Sequence, residues 1–234
     1  MKARKDLLDI ESLTNEEIEL VLTNAKPFKD LIRRSVKKVP PLRGRHVLTL
    51  FYEPSTRTRS SFEIAAKRLS ADVTNFTVST SSVVKGETII DTIDTLQAMQ
   101  VDYIIVRPGS PGVPNPTPRH PAASVINAGD GNHAHPTQGL LDAFTMKEVC
   151  GDLAGRKVVI VGDVLHSRVA RSTSTILRKL GVQVGYFGPG PLIPDDRPAD
   201  IRGFSSFEDV FDWKPDVIYL LRIQMERQRD QFFP

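Results

Sequence analysis

The segment Glu53-Pro54-Ser55-Thr56-Arg57-Thr58-Arg59 puts three hydroxyls and two guanidinium groups between an apolar run and a helical pattern. Cations in the first turn of a helix oppose its macrodipole by roughly 0.3 kcal/mol or more, a cost that an anion bound at the helix end offsets. The backbone N–H groups of that turn have no intrahelical acceptor, so with the Ser and Thr hydroxyls they form a phosphate cradle. Positions two apart lie about 200° apart around a helix. Arg57 is therefore assigned to the anion and Arg59 to a structural ion pair. The Gly-x-x-x-x-Gly-Lys pattern of nucleotide loops is absent, and Gly162-Asp163 lacks the further glycines of a dinucleotide fingerprint.

Two other segments hold polar groups just before helices. Ser81-Ser82-Val83-Val84-Lys85-Gly86-Glu87 reads, by itself, as a loop ending in a helix cap. In Asp130-Gly131-Asn132-His133-Ala134-His135-Pro136-Thr137-Gln138, His135 and Gln138 stand at a helix start, where the positive end favours an anion or a polarised oxygen. Asp130, His133 and His135 have no cysteine or second carboxylate at ligand spacing, so no metal is assigned and His133 is read as a loop histidine.

These residues need a scaffold, and the chain supplies an alternating one. Thr14 with Glu17 is a capping box ahead of Ile18, Val21 and Leu22. A second, basic helix is expected from the spacing of Phe28, Ile32, Val36 and Val39, ending at Pro40-Pro41. His46 to Tyr52 is nearly continuous in apolar residues, as a buried strand is. Helical patterns at 55–69, around Ile89, Ile93 and Leu96, and from Pro136 (with Leu140, Leu141 and Phe144 inward) alternate with short strands at 73–76, 103–106 and 124–127. A second block repeats the alternation: strand 158–161, helix 168–180, strand 182–187 and strand 217–221. The fold class is α/β, with two doubly wound parallel-sheet domains at 1–150 and 151–234 and a polar hinge near 151–157. Six prolines in the fourteen residues from Pro108 to Pro121 exclude a regular helix and predict an irregular loop.

At 234 residues, with 40% hydrophobic and 25% charged residues, the composition is that of a globular protein. No run of apolar residues is long enough for a membrane span, and Met1 to Asp6 has no apolar segment of a secretory leader. The single Cys150 fits a reducing compartment, so a cytoplasmic location is expected. The net charge of +3 is local, because eight basic residues face only Asp30 between Lys26 and Arg45. Without a recognition motif or interleaved aromatics, that basic stretch is read as a solvated face and no nucleic-acid partner is expected.

Phe51 to Phe62, with Ser55-Thr56-Arg57-Thr58-Arg59 inside it, resembles the carbamoyl-phosphate motif of the aspartate and ornithine carbamoyltransferases. Ser81 to Glu87, Asn127 to Gln138 and Arg222-Ile223-Gln224-Met225-Glu226-Arg227 are similar to the aspartate branch of that family, and the four segments occur in order along nearly the whole chain. The resemblance implies transfer of a carbamoyl group from carbamoyl phosphate to L-aspartate, giving N-carbamoyl-L-aspartate and phosphate, the committed step of pyrimidine synthesis. It implies that Ser55, Thr56, Arg57, Thr58 and Arg107 hold the phosphate. Thr58, Arg107 and His135 would polarise the carbonyl, and Gln138 would bind the carbamoyl amide. Lys85, Arg168, Arg222 and Gln224 would bind aspartate, with Ser81 and Lys85 entering from a neighbouring subunit of a homotrimer. It implies no metal and no cofactor. Read unaided, Arg168 stands on a helix that also carries Arg171 and Arg178, as surface residues do. Arg222, at the C-terminal end of a strand, is better placed, since open α/β sheets bind ligands there.

The family continues beyond the length seen here, through a proline-containing loop and a final helix. The second domain is therefore expected to be incomplete, with an open sheet edge, and the chain as given to have little or no transferase activity. Two alternatives stand beside the main expectation: an ornithine-type enzyme, against which Arg222 and Gln224 argue, and an inactive subunit that assembles with active homologues.

Overall fold

A computed structural model describes residues 4–53, 55–77, 89–109, 111 and 123–222. The proline-rich segment beyond Pro111, Ser81, Lys85 and Gln224 lie outside the described residues. The chain packs as two compact units, Met1–Asp9 with Thr23–Pro136 and Ile10–Leu22 with Thr137–Pro234. The packing thus divides after Pro136, where the sequence suggested 150, because the helix that follows packs on the second sheet.

In the first unit, β1 (His46–Phe51), β2 (Asp72–Thr77), β3 (Tyr103–Arg107) and β4 (Ser124–Asn127) form a parallel sheet in the order β2-β1-β3-β4. Its strands are apolar on both faces because both are covered. Leu48, Leu50, Ile104, Val106 and Val125 pack with Ile93 and Leu96 of helix α3 (Ile89–Ala98). Val47, Phe51 and Ile105 pack with Phe62 and Ala66 of helix α2 (Thr56–Arg68). Strand order reverses between β1 and β3, so the carboxyl ends of those two strands flank the crevice where open α/β sheets take ligands. The register sets Phe51 opposite Arg107 at that end.

In the second unit, β5 (Lys157–Val161), β6 (Gln183–Phe187), β7 (Arg202–Gly203) and β8 (Val217–Leu220) form a parallel sheet in the order β7-β6-β5-β8. One face packs against helices α4 (Pro136–Cys150) and α5 (Arg168–Lys179) through Met146, Ala170 and Leu177. The other packs Val159 against Phe204, Trp213 and Val210 of α6 (Phe207–Asp212). Here the reversal falls between β5 and β8. Gly162, just past β5, has φ +121°, and a Cβ there would stand 3.0 Å from the Leu221 carbonyl oxygen. Only glycine lets the chain turn this close to the end of β8. β8 is an edge of this sheet among the described residues, with Leu220 73% exposed.

Both sheets fasten their amino ends in the same way. Asp102, one residue before β3, accepts from the His46 backbone N–H at 2.8 Å and from Arg45 Nη1 at 2.7 Å. Asp216, one residue before β8, accepts from the Lys157 N–H at 2.8 Å and from Arg156 Nη1 at 2.9 Å. In each case the bond from the backbone N–H is the main cause that holds the carboxyl below its ordinary pKa.

Two expectations need correction. The opening helix and the basic helix are one element, α1 (Asn15–Leu31), which runs through Pro27 and stops before the basic cluster. Arg33, Arg34, Lys37 and Lys38 would place like charges three and four apart with no acid among them, which disfavours helix. Ile32 and Val36, past the helix end, are accordingly exposed, and Phe28 in its last turns is exposed too. On α4, Leu141 is 54% exposed, and the inward side is Leu140, Asp142, Ala143 and Met146. The Thr14–Glu17 capping box forms as expected, Glu17 N–H donating to Thr14 Oγ1 at 3.2 Å and Thr14 N–H to Glu17 Oε2 at 2.9 Å.

Candidate functional site

In the first unit the reversal point is occupied by the segment that follows β1. Ser55 takes the cap position of α2 with φ −156° and ψ 87°, yet its side chain makes no capping bond, and the first turn holds no acid. The orphan N–H groups of that turn therefore keep their affinity for an external anion. Arg57 and Thr56 are exposed, while Ser55 and Thr58 are half-buried.

At the end of β3, Arg107 is fixed by several partners. Its Nε donates to Glu53 Oε2 at 3.1 Å, and Nη2 lies 3.0 Å from the same oxygen. Nη1 approaches Thr58 Oγ1 at 3.5 Å and the Ala128 carbonyl at 3.4 Å. The fork is thus oriented by Glu53, a role the sequence did not disclose, and brought against a first-turn hydroxyl of α2. The Lys67 and Asn75 bonds hold the Glu63 carboxyl on α2 below the usual carboxylate range, and the charge of Arg59 adds to them.

Beyond β4 the chain folds around two buried polar side chains. Asn127 Nδ2 donates to Asp130 Oδ1 at 2.9 Å and to the Leu8 carbonyl at 2.8 Å, and its Oδ1 accepts from Gly129 N–H. Asp130 also accepts from Ala134 N–H at 3.0 Å and pairs with His133 Nδ1 at 2.9 Å. His133 is therefore a loop-forming residue. The framework delivers His135, buried, to the start of α4. Among the described residues no group of three His, Cys, Asp or Glu side chains is arranged for a metal ion.

In the second unit, Arg168 begins α5 and is only 3% exposed, which overturns its reading as a surface residue. Ser167 caps this helix by accepting from Ala170 N–H at 3.1 Å. Just ahead of the cap, buried Asp163 pairs with His166 Nδ1 at 2.8 Å. Arg222 follows β8 and is exposed, so both arginines stand at the carboxyl ends flanking the second reversal point.

One group the sequence reading passed over is the Asp142 carboxylate on α4. It accepts from Gln138 Nε2 at 2.9 Å, Thr173 Oγ1 at 2.7 Å and Tyr219 Oη at 2.9 Å. Burial raises its pKa, and the three donors pull it back. Burial first, then the neighbouring carboxylate, push the Tyr219 phenol far up, so it stays a donor. The only signal in the sequence was the Gln138–Asp142 spacing of four, which juxtaposes two side chains on a helix.

Residues 5–148 match the family model described as the aspartate/ornithine carbamoyltransferase carbamoyl-P binding domain. The chain is 65% identical over 231 residues to the aspartate carbamoyltransferase catalytic subunit of Akkermansia muciniphila, covering 99% of this chain and 75% of that protein. It is 53% identical to the corresponding subunit of Endomicrobium trichonymphae, covering 98% and 74%. Among solved structures it resembles the M. jannaschii aspartate transcarbamoylase catalytic subunit, with TM-score 0.83, 37% identity and coverage of 97% and 77%. It also resembles Trypanosoma cruzi aspartate transcarbamoylase in complex with carbamoyl phosphate, with TM-score 0.85, 29% identity and coverage of 97% and 74%. The chain spans about three quarters of the length of these relatives. With the turn after β1, the oriented Arg107 and these matches agreeing, the chain belongs to the aspartate/ornithine carbamoyltransferase family.

Proposed function

We propose that this protein transfers the carbamoyl group of carbamoyl phosphate to the amino group of L-aspartate, yielding N-carbamoyl-L-aspartate and phosphate for pyrimidine synthesis. The observation that carries the assignment is the turn after β1: an uncapped helix start with an exposed Arg57, next to a guanidinium that Glu53 orients onto Thr58. Ser55, Thr56, Arg57 and Thr58 hold the phosphate, and Arg57 neutralises its charge as the carbon–oxygen bond breaks. Thr58, Arg107 and His135 donate to the carbonyl oxygen, where negative charge grows when the amine lone pair attacks the carbamoyl carbon. Gln138 accepts from the carbamoyl NH2. The attacking nitrogen passes a proton to a phosphate oxygen, and the phosphate departs with the bonding pair.

Arg168 and Arg222, with Gln224 and Lys85, receive the two aspartate carboxylates, a task suited to the planar arginine fork. Two arginines at the second reversal point repel a cationic acceptor such as ornithine. We assign the working form to a cytoplasmic homotrimer in which Ser81 and Lys85 complete a neighbour's site. No helix among the described residues is long and apolar enough to cross a membrane. The test is a calorimetric titration with N-(phosphonacetyl)-L-aspartate, which joins a phosphonate and an aspartate in one molecule. Binding about a hundredfold tighter than inorganic phosphate is expected from linking the two moieties. Affinity no better than that of phosphate contradicts the assignment.

A further inference from the structure

Gln138 can serve a carbamoyl group only if its amide faces the right way, and nothing in its own chemistry decides that. An amide has a donor end and an acceptor end of nearly the same shape. The carbamoyl NH2 donates, so the oxygen of Gln138 must face it. What faces the other end of the amide is Asp142, whose Oδ1 lies 2.9 Å from Nε2.

We infer that Asp142 is a positioning residue that sets the polarity of Gln138 and thereby the selectivity for a carbamoyl over an acetyl group. This rests on the function proposed above. An ionised carboxylate has lone pairs and no proton to give, so the end of Gln138 turned toward it is the nitrogen, and Oε1 is left as the acceptor. The carboxylate cannot swing away to satisfy Gln138 differently. Its other oxygen, Oδ2, takes protons from Thr173 Oγ1 at 2.7 Å and Tyr219 Oη at 2.9 Å, one on α5 and one on β8. Thr173 reaches it because α4 and α5 approach closely: a Cβ at Gly139 would stand 3.0 Å from the Ser172 carbonyl oxygen. Asp142 is 9% exposed, so water competes little for these bonds. The three donors come from positions far apart in the chain, yet they converge on one side chain.

The experiment uses the whole chain and three ligands, carbamoyl phosphate, acetyl phosphate and inorganic phosphate, with affinities measured by calorimetry. The decisive variant is Asp142→Asn, which keeps shape and volume. Its amide oxygen stays with the two hydroxyl donors, so its nitrogen takes the place of Oδ1. Gln138 must then turn its oxygen inward and present NH2 to the carbamoyl NH2. Affinity for carbamoyl phosphate falls by about ten- to a hundredfold, the scale of a mismatched buried hydrogen bond. Acetyl phosphate and inorganic phosphate stay within about twofold, so the preference for the carbamoyl ligand collapses. In a Gln138→Ala background the same Asp142→Asn change has no effect on carbamoyl phosphate, because the residue through which it acts is gone. A general packing role predicts equal losses for all three ligands, and equal losses overturn the inference. So does an unchanged preference in a variant that still binds phosphate; either result leaves the functional assignment standing. If the unsubstituted chain binds neither phosphate nor carbamoyl phosphate, the functional assignment falls and the inference falls with it.

Discussion

The two strand-to-helix junctions, β1 into α2 and β5 into α5, stand at equivalent points of equivalent sheets, and both put an arginine in the first helical turn. Their amino-end clamps are alike, with Asp102 and Asp216 each gripping an arginine and a backbone N–H of the central strand. At the carboxyl ends they diverge. Ser55 makes no cap bond and Arg57 is exposed, whereas Ser167 caps its helix and Arg168 is buried. The first junction leaves its positive helix end without a side-chain cap and without an acid in the first turn. The second is capped by its own serine, and its arginine is buried. The same topology thus supports an uncapped helix start with an exposed arginine in one unit and a capped start with a buried arginine in the other.

The contrast is sharpest in what a truncated arginine should do to folding. Arg168→Ala removes a buried side chain and its aliphatic stem, so unfolding in urea should become easier by about 2 to 4 kcal/mol. Binding of N-(phosphonacetyl)-L-aspartate should weaken by about ten- to a hundredfold alongside. Unchanged stability would break the distinction between the two junctions. The serines offer a finer version. Ser167→Ala should cost about 1 kcal/mol of stability through the lost cap. Ser55→Ala should leave unfolding within about 0.3 kcal/mol, since no cap bond exists to lose, yet weaken phosphate binding by about tenfold.

The smallest effects concern pH and distinguish the shared clamps from the buried network. The folded pKa of Asp216 is depressed, so its contribution is present above the unfolded value of about 3.9 and lost as pH falls through the folded value. The stability advantage of the unsubstituted chain over Asp216→Asn should therefore shrink as urea midpoints are followed from pH 5 down to pH 3. Asp142 has the opposite sign. Its folded pKa is raised, so its contribution is full below about pH 3.9 and declines as pH rises through the folded value. Against Asp142→Asn, the advantage should shrink in the upward direction.

Much of this is legible in the amino-acid sequence. The strands around His46, Tyr103 and Val158 announced themselves because a parallel sheet covered on both faces demands unbroken apolar runs. Arg57 stood out because a cation in a first helical turn is out of place without an anion. The end of α1 departs from the expectation, since apolar spacing continues through Ile32, Val36 and Val39 while the like charges of the basic cluster disfavour helix there. The strand Arg202–Gly203 is two exposed residues long and has no periodicity to read. Glu53 and Asp142 escaped because their partners Arg107, Thr173 and Tyr219 are 54, 31 and 77 residues away. Such contacts depend on tertiary packing and leave no local pattern.

On the function proposed above, the turn after β1 holds an external phosphate group and contributes little to folding. Its most direct test is equilibrium dialysis of carbamoyl phosphate against the unsubstituted chain and Arg57→Ala, with urea unfolding of both. An affinity loss of about ten- to a hundredfold is expected, with unfolding free energies equal to within about 0.5 kcal/mol. Equal affinities, or an affinity loss accompanied by about 2 kcal/mol of destabilisation, would contradict it.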